Sequence, residues 1–107
     1  MSFEVYKDKA GEYRFRLEAS NGETVLCSEG YSAKSGVLNG IESVRENSEV
    51  SERFESYTDK AGKYRFRLKA VNGQIIGTSE AYETERSCAA GIESVKRWAK
   101  EAKIKEV

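Results

Sequence analysis

Tyr13-Arg14-Phe15-Arg16-Leu17 returns, residue for residue, as Tyr64-Arg65-Phe66-Arg67-Leu68. In each copy rings and aliphatic side chains alternate with arginines. On a pleated strand that period of two sends Tyr13, Phe15, Leu17 and Ala19 to one face and Arg14, Arg16 and Glu18 to the other. Each copy is therefore a strand with one face to bury, and the rest of its repeat is read outward from it.

Upstream, Phe3-Glu4-Val5-Tyr6-Lys7 alternates in the same way, and Asp8-Lys9-Ala10-Gly11 supplies an aspartate to open a turn and a glycine free to take positive φ. A three-residue loop of Lys9, Ala10 and Gly11 sets Asp8 opposite Glu12, Tyr6 opposite Arg14, Val5 opposite Phe15 and Glu4 opposite Arg16. Downstream, Asn21-Gly22 predicts a type I′ hairpin turn. Pairing Ser20 with Glu23 then places Leu17 opposite Leu26, Phe15 opposite Ser28, Arg16 opposite Cys27 and Arg14 opposite Glu29. From about Ala33 the period changes, Val37, Ile41 and Val44 recurring at helical spacing with Gly40 on the same stripe, Ser32 as N-cap and Asn47-Ser48 as the end.

At a constant offset of 51 the copies keep Phe3/Phe54, Glu4/Glu55, Tyr6/Tyr57, Asp8/Asp59, Gly11/Gly62, Asn21/Asn72, Gly22/Gly73, Glu29/Glu80, Tyr31/Tyr82 and Gly40-Ile41-Glu42-Ser43-Val44/Gly91-Ile92-Glu93-Ser94-Val95. Thr84 is placed to cap the second helix, whose stripe is Cys88, Gly91, Ile92, Val95 and Ala99 with Trp98 at its edge. Lys103 to Val107 reads as a short terminal strand. No glycine- or proline-rich linker separates the halves, and a unit of about 50 residues buries too little surface to stand alone, so the 107 residues are read as one domain of two repeats, 1–51 and 52–107, sharing a core.

The tandem Asp-Lys-Ala-Gly-Glu-Tyr-Arg-Phe-Arg-Leu, Asn-Gly-Glu-Thr-Val-Leu and Gly-Ile-Glu-Ser-Val segments resemble the YegP-like family of bacterial proteins over nearly the whole chain. The resemblance implies an α+β fold: two tandem βββαβ repeats forming one antiparallel sheet, both helices on one face, with C-terminal strands exchanged between the repeats. It further implies that Glu52 to Tyr57 run as one long strand, closing the first unit and opening the second, while Ile104 to Val107 cross back to the other repeat. It implies no biochemical activity.

Eighteen basic residues balance eighteen acidic ones, so no net field draws in nucleic acid or an anionic membrane. No apolar run spans a membrane, and the N-terminal residues enter a strand without a signal-peptide core, which reads as cytoplasmic. Histidine is absent and the two cysteines, Cys27 and Cys88, are solitary, which suggests neither a metal site nor a cofactor.

The candidate binding face is the uncovered side of the sheet, where Tyr6, Arg14, Arg16, Tyr57, Arg65, Arg67 and Lys69 mix bases with rings as a single-stranded nucleic-acid platform does. The register supplies a structural alternative: Tyr6 and Glu29 beside Arg14, Glu4 beside Arg16, then Tyr57 and Glu80 beside Arg65 and Glu55 beside Arg67. A ladder of this kind leaves no idle cation for a phosphate. Gly40 and Gly91 read as points of close helix-to-sheet approach. Trp98, standing where the first copy has Asn47, reads as either a partner's anchor or a core cap, the second preferred because Val95 and Ala102 flank it. The expected function is a small non-enzymatic interaction module acting through the open sheet face or the helix edge near Trp98; the sequence does not identify its partner, a protein being favoured over nucleic acid and a membrane excluded. The alternatives are a single-stranded nucleic-acid binder and a thiol or carboxylate enzyme. A monomer is expected, with dimerisation favoured if a sheet edge stays free.

Overall fold

The computed structural model describes Met1–Val107. The first repeat folds as β1 (Ser2–Lys7), β2 (Tyr13–Glu18), β3 (Thr24–Cys27) and α1 (Lys34–Asn47), and the second as β4 (Phe54–Thr58), β5 (Tyr64–Lys69), β6 (Ile75–Thr78), α2 (Glu85–Trp98) and β7 (Lys103–Glu106). One seven-stranded sheet results, in the order β4-β5-β6-β3-β2-β1-β7. Both helices cover its apolar face, where Phe3, Phe15, Leu17, Leu26, Phe66 and Leu68 are fully buried with Val37, Ile41, Val44 and Val95.

The first hairpin has the expected register, Val5 opposite Phe15 and Glu4 opposite Arg16. Its turn is held by Asp8 Oδ1, which accepts from the backbone N–H groups of Ala10 and Glu12, while Gly11 takes φ +80°. The second hairpin corrects the sequence reading. Asn21 does not adopt positive φ, so there is no type I′ turn; Ala19 rather than Ser20 pairs with Glu23, and Asn21 Oδ1 accepts from Glu23 N–H. A bulge at Val25 on β3, facing the step from Leu17 to Glu18 on β2, then restores the expected pairs Leu17 with Leu26 and Arg16 with Cys27. The extra residue on the β3 side absorbs the one-residue slip that would otherwise turn the apolar side chains outward.

The helices differ at their starts. Thr84 caps α2, its hydroxyl accepting from Ser87 N–H at 3.0 Å, whereas Ala33, not Ser32, precedes α1 and offers no side-chain cap. Their glycines do what the repetition suggests: a β-carbon at Gly40 would stand 2.6 Å from Tyr31 Oη, and one at Gly91 would stand 2.4 Å from Tyr82 Oη. The two repeats meet where Cys27 on β3 faces Thr78 on β6, and these are equivalent positions, so the pseudo-twofold axis passes between them. Beside that axis symmetry is broken for packing: Leu26 fills the space over its own counterpart Gly77, where a β-carbon would lie 2.6 Å from Leu26 Cγ.

The C-terminal crossing occurs once. Arg45 donates to the carbonyl of Ala102 at 2.7 Å and its guanidinium lies over the Phe3 ring, steering the chain end onto β1. β7 pairs parallel to β1, so the sheet is antiparallel at every pair but this one. In the first repeat the equivalent lysine and serine also meet, Lys96 donating to Ser51 Oγ at 2.7 Å. There Ser51–Arg53 form a single 3-10 turn and the strand begins only at Phe54, so no long strand starts at Glu52. β4 pairs with β5 alone, and its outer edge is bare.

Candidate functional site

On the uncovered face each arginine is engaged, though not always as the register suggested. Arg14 Nε donates to Asp8 Oδ2 at 2.7 Å and Arg65 Nε to Asp59 Oδ2 at 2.8 Å. Nη1 of each donates to a carbonyl, that of Arg14 to Ser28 and that of Arg65 to Ser79. Glu29 and Glu80 are not their ion-pair partners: the turn aspartate sits on the same face two residues beyond the ring opposite Arg14, and it already points inward because the loop amides hold it. Those amides and the guanidinium keep both aspartates below the ordinary carboxylate range, the arginine hydrogen bond contributing most.

Arg16 lies 2.9 Å from Glu4 and 3.3 Å from Glu18, and Arg67 lies 3.3 Å from Glu55. The tyrosines stack on these arginines rather than on Arg14 and Arg65: Arg16 is centred 4.5 Å over Tyr6, and Arg67 3.9 Å over Tyr57. Lys69 joins Glu55 at 3.2 Å. A face whose guanidiniums are paired and stacked offers little positive charge to a phosphate backbone.

Neither thiol is activated. Burial pushes Cys27 up, with Glu80 adding to it, and Arg16 opposes this too weakly to reverse it; burial likewise raises Cys88. Trp98 is 55% exposed, which corrects the preference for a core position. Its flanking Val95 and Ala102 are buried, but the ring leans outward at the lip of a concavity lined by Met1, Ala19, Ser20 and Ser94.

The first strands of the two repeats, β1 and β4, differ in what flanks them: β1 is paired on both sides, whereas β4, like β7 at the other end of the sheet, keeps one edge open. On β1, Val107 N–H donates to Val5 C=O at 3.0 Å, so the polar groups of Val5 point outward; the matching registers make those of Ser56 point outward on β4. On β1 the edge is covered by β7, Val5 is 3% exposed, and Lys34 at the start of α1 pairs with Glu106. On β4 nothing covers the edge. Ser56 takes the place of Val5 and leaves a notch of 310 Å³ lined by Ser56, Thr58, Tyr64, Glu85, Cys88 and Ala89. Glu85 takes the place of Lys34. The sequence carried this signal in two departures from the repeat, Val5 to Ser56 and Lys34 to Glu85, which reasoning from conserved pairs passed over.

No helix of the structure is long and apolar enough to cross a membrane. The family described as a domain of unknown function, DUF1508, matches residues 8–55 and again 59–106. Among curated relatives, the chain is 54% identical over 106 residues to a UPF0339 protein in the ptx operon 5′ region of Stutzerimonas stutzeri, covering 99% of this chain and 96% of that one. It is 50% identical over 94 residues to the UPF0339 protein YegP of Escherichia coli K12, covering 88% and 86%. The solution NMR structure of that E. coli protein of unknown function superposes with a TM-score of 0.92 at 46% identity, covering 98% of this chain and 90% of that one. That of UPF0339 protein SO3888 from Shewanella oneidensis gives 0.92 at 43%, covering 98% and 89%. These names and titles describe uncharacterised proteins and indicate no specific function.

Proposed function

Because the chain belongs to the DUF1508 family and carries its repeat twice, with one repeat edge covered and the other bare, we propose that it is a small non-enzymatic interaction module that takes up an extended segment of a protein partner along β4. One observation carries the reading: the position that holds β7 on the first repeat is vacant on the second, over a notch. Strand addition to a sheet edge supplies affinity through main-chain hydrogen bonds and specificity through alternate side-chain pockets. The paired arginines of the uncovered face weigh against the nucleic-acid alternative, and two raised, unpaired thiols weigh against a thiol enzyme. Free cysteines also support a cytoplasmic setting.

Selection of random peptides on the full chain, followed by mapping of the selected peptides through backbone amide shifts, tests the proposal. The shifts are expected at Phe54, Ser56 and Thr58. Ser56→Pro removes an outward N–H and spares the ladder to β5, so it is expected to weaken binding at least about tenfold with the fold intact. Selected peptides that bind at Trp98 or on the arginine face and tolerate Ser56→Pro would overturn it, as would a selection that yields none.

A further inference from the structure

We infer that the segment accepted by β4 carries an apolar residue beside Phe54 and a basic one two positions later beside Ser56, and that the edge rejects the chain's own terminal strand. This rests on the edge-binding reading and adds the chemistry of the partner. The template is internal. On β1 the covering strand sets Ile104 beside Phe3, Lys105 beside Glu4 and Glu106 beside Val5. Ile104 extends the apolar face, and Glu106 is fixed from above by Lys34.

Carried forward by 51 residues, the same three places lie beside Phe54, Glu55 and Ser56. Phe54 is half-buried and packs against Phe66 with ring centroids 5.9 Å apart, so its neighbour is apolar. Glu55 is already met by Arg67 at 3.3 Å and Lys69 at 3.2 Å, and its counterpart Glu4 is met by Arg16 rather than by Lys105, so the second place carries no charge rule. At the third place the helix residue has changed sign. A guest lysine or arginine there lays its aliphatic stem in the notch over Ser56, against Tyr64, Cys88 and Ala89, and brings its charged head to Glu85. Glu85 is exposed, and its carboxylate forms no ion pair within the chain.

The same charges exclude a second copy. Another molecule's β7 would set Glu106 against Glu85, and two β4 edges laid together would gather Glu85 from both chains. Like charges at a strand edge are a common guard against self-pairing. The internal counterpart of β4 therefore defines both what fits and what is refused.

Two synthetic peptides test this on the full ¹⁵N-labelled chain: one copying Ala102–Val107, the other the same with Glu106→Lys. Amide shifts of Phe54, Ser56 and Thr58 report β4, and those of Phe3 and Val5 report displacement of β7 separately. The Glu106→Lys peptide is expected to bind β4 at least about tenfold more tightly than the copy, with the preference reversed in Glu85→Lys, a change that reproduces Lys34 of the first repeat. Equal binding of the two peptides, or neutral or acidic peptides recovered at β4 by unbiased selection, would overturn the charge rule and leave the edge reading standing. Absence of any shift at β4 from these peptides and from selected ones would overturn both. Sedimentation as a dimer with the β4 amides protected would give the edge to a second copy and overturn the inference.

Discussion

β1 and β4 hold the same place in their repeats and pair with β2 and β5 in the same register, yet β1 is flanked on both sides and β4 on one. The difference follows from how a duplicated chain is connected. Offset by 51, the segment equivalent to β7 is Glu52 to Glu55, which runs into β4 itself. A strand cannot pair with itself, so the first repeat has no terminal strand to give away. Two like units joined head to tail thus supply a covering strand to the first strand of one unit and none to that of the other, and the residues near the uncovered β4 are free to diverge.

The seam between the repeats is where breaking the comparison has the largest effect. Leu26→Ala removes a fully buried side chain and is expected to cost about 3 kcal/mol in urea unfolding. Gly77→Leu crowds the same space and is expected to cost about 1–3 kcal/mol. Exchanging the pair, Leu26→Gly with Gly77→Leu, moves the large residue to the other side of the pseudo-twofold axis. If the repeats are interchangeable there, the double variant recovers more than half of the summed loss; additive losses would show that they are not.

Removing Lys103–Val107 makes the two edges alike. The expected loss is about 2 kcal/mol, from the ladder to β1 and the cover over Phe3, together with self-association through the newly bared β1 edge. Ser56→Val acts in the opposite direction by giving β4 the residue of β1. The added methyl groups enter the notch and a β-branched residue suits the strand, so a gain of about 0.5–1 kcal/mol is expected, with weaker peptide binding at the same edge.

Alternation and the offset were enough to read the strands, the first hairpin and the helix stripes, while the crossing of the chain end came from the family resemblance. Three things escaped for identifiable reasons. Asn21-Gly22 fits a two-residue turn as well as the three-residue loop that forms, and the bulge at Val25 hides the difference because it returns the strand to the same register. Arg14 was matched to residues across the ladder, but its partner Asp8 belongs to a turn, where side-chain direction is set by loop amides that strand periodicity does not describe. The bare edge was legible only in residues that break the repeat, Ser56 and Glu85, because what repeats reports the shared scaffold and what differs reports the particular surface.

The smallest effect concerns what the repeats keep identical. Asp8 and Asp59 are each held below the ordinary carboxylate range by an arginine hydrogen bond first and loop amides second. A carboxylate with a lower pKa in the folded chain than in the unfolded chain contributes stability in full above its unfolded value. That contribution is lost as pH falls through the folded value, because the unfolded chain takes up the proton first. Unfolding midpoints should therefore be insensitive to these two groups from neutral pH down to about pH 5 and should fall below about pH 4. Asparagine can still accept from the loop amides through Oδ1 but carries no charge, so Asp8→Asn and Asp59→Asn should each make the acid limb shallower at a small cost near neutrality. Because the two sites share geometry to within 0.1 Å at the arginine, 2.7 Å against 2.8 Å, the two variants should lose equal parts of the limb and the double variant their sum. Unequal parts would mean that the bare edge beside Tyr57 loosens the second turn, and that the asymmetry of the sheet reaches further than its outer strand.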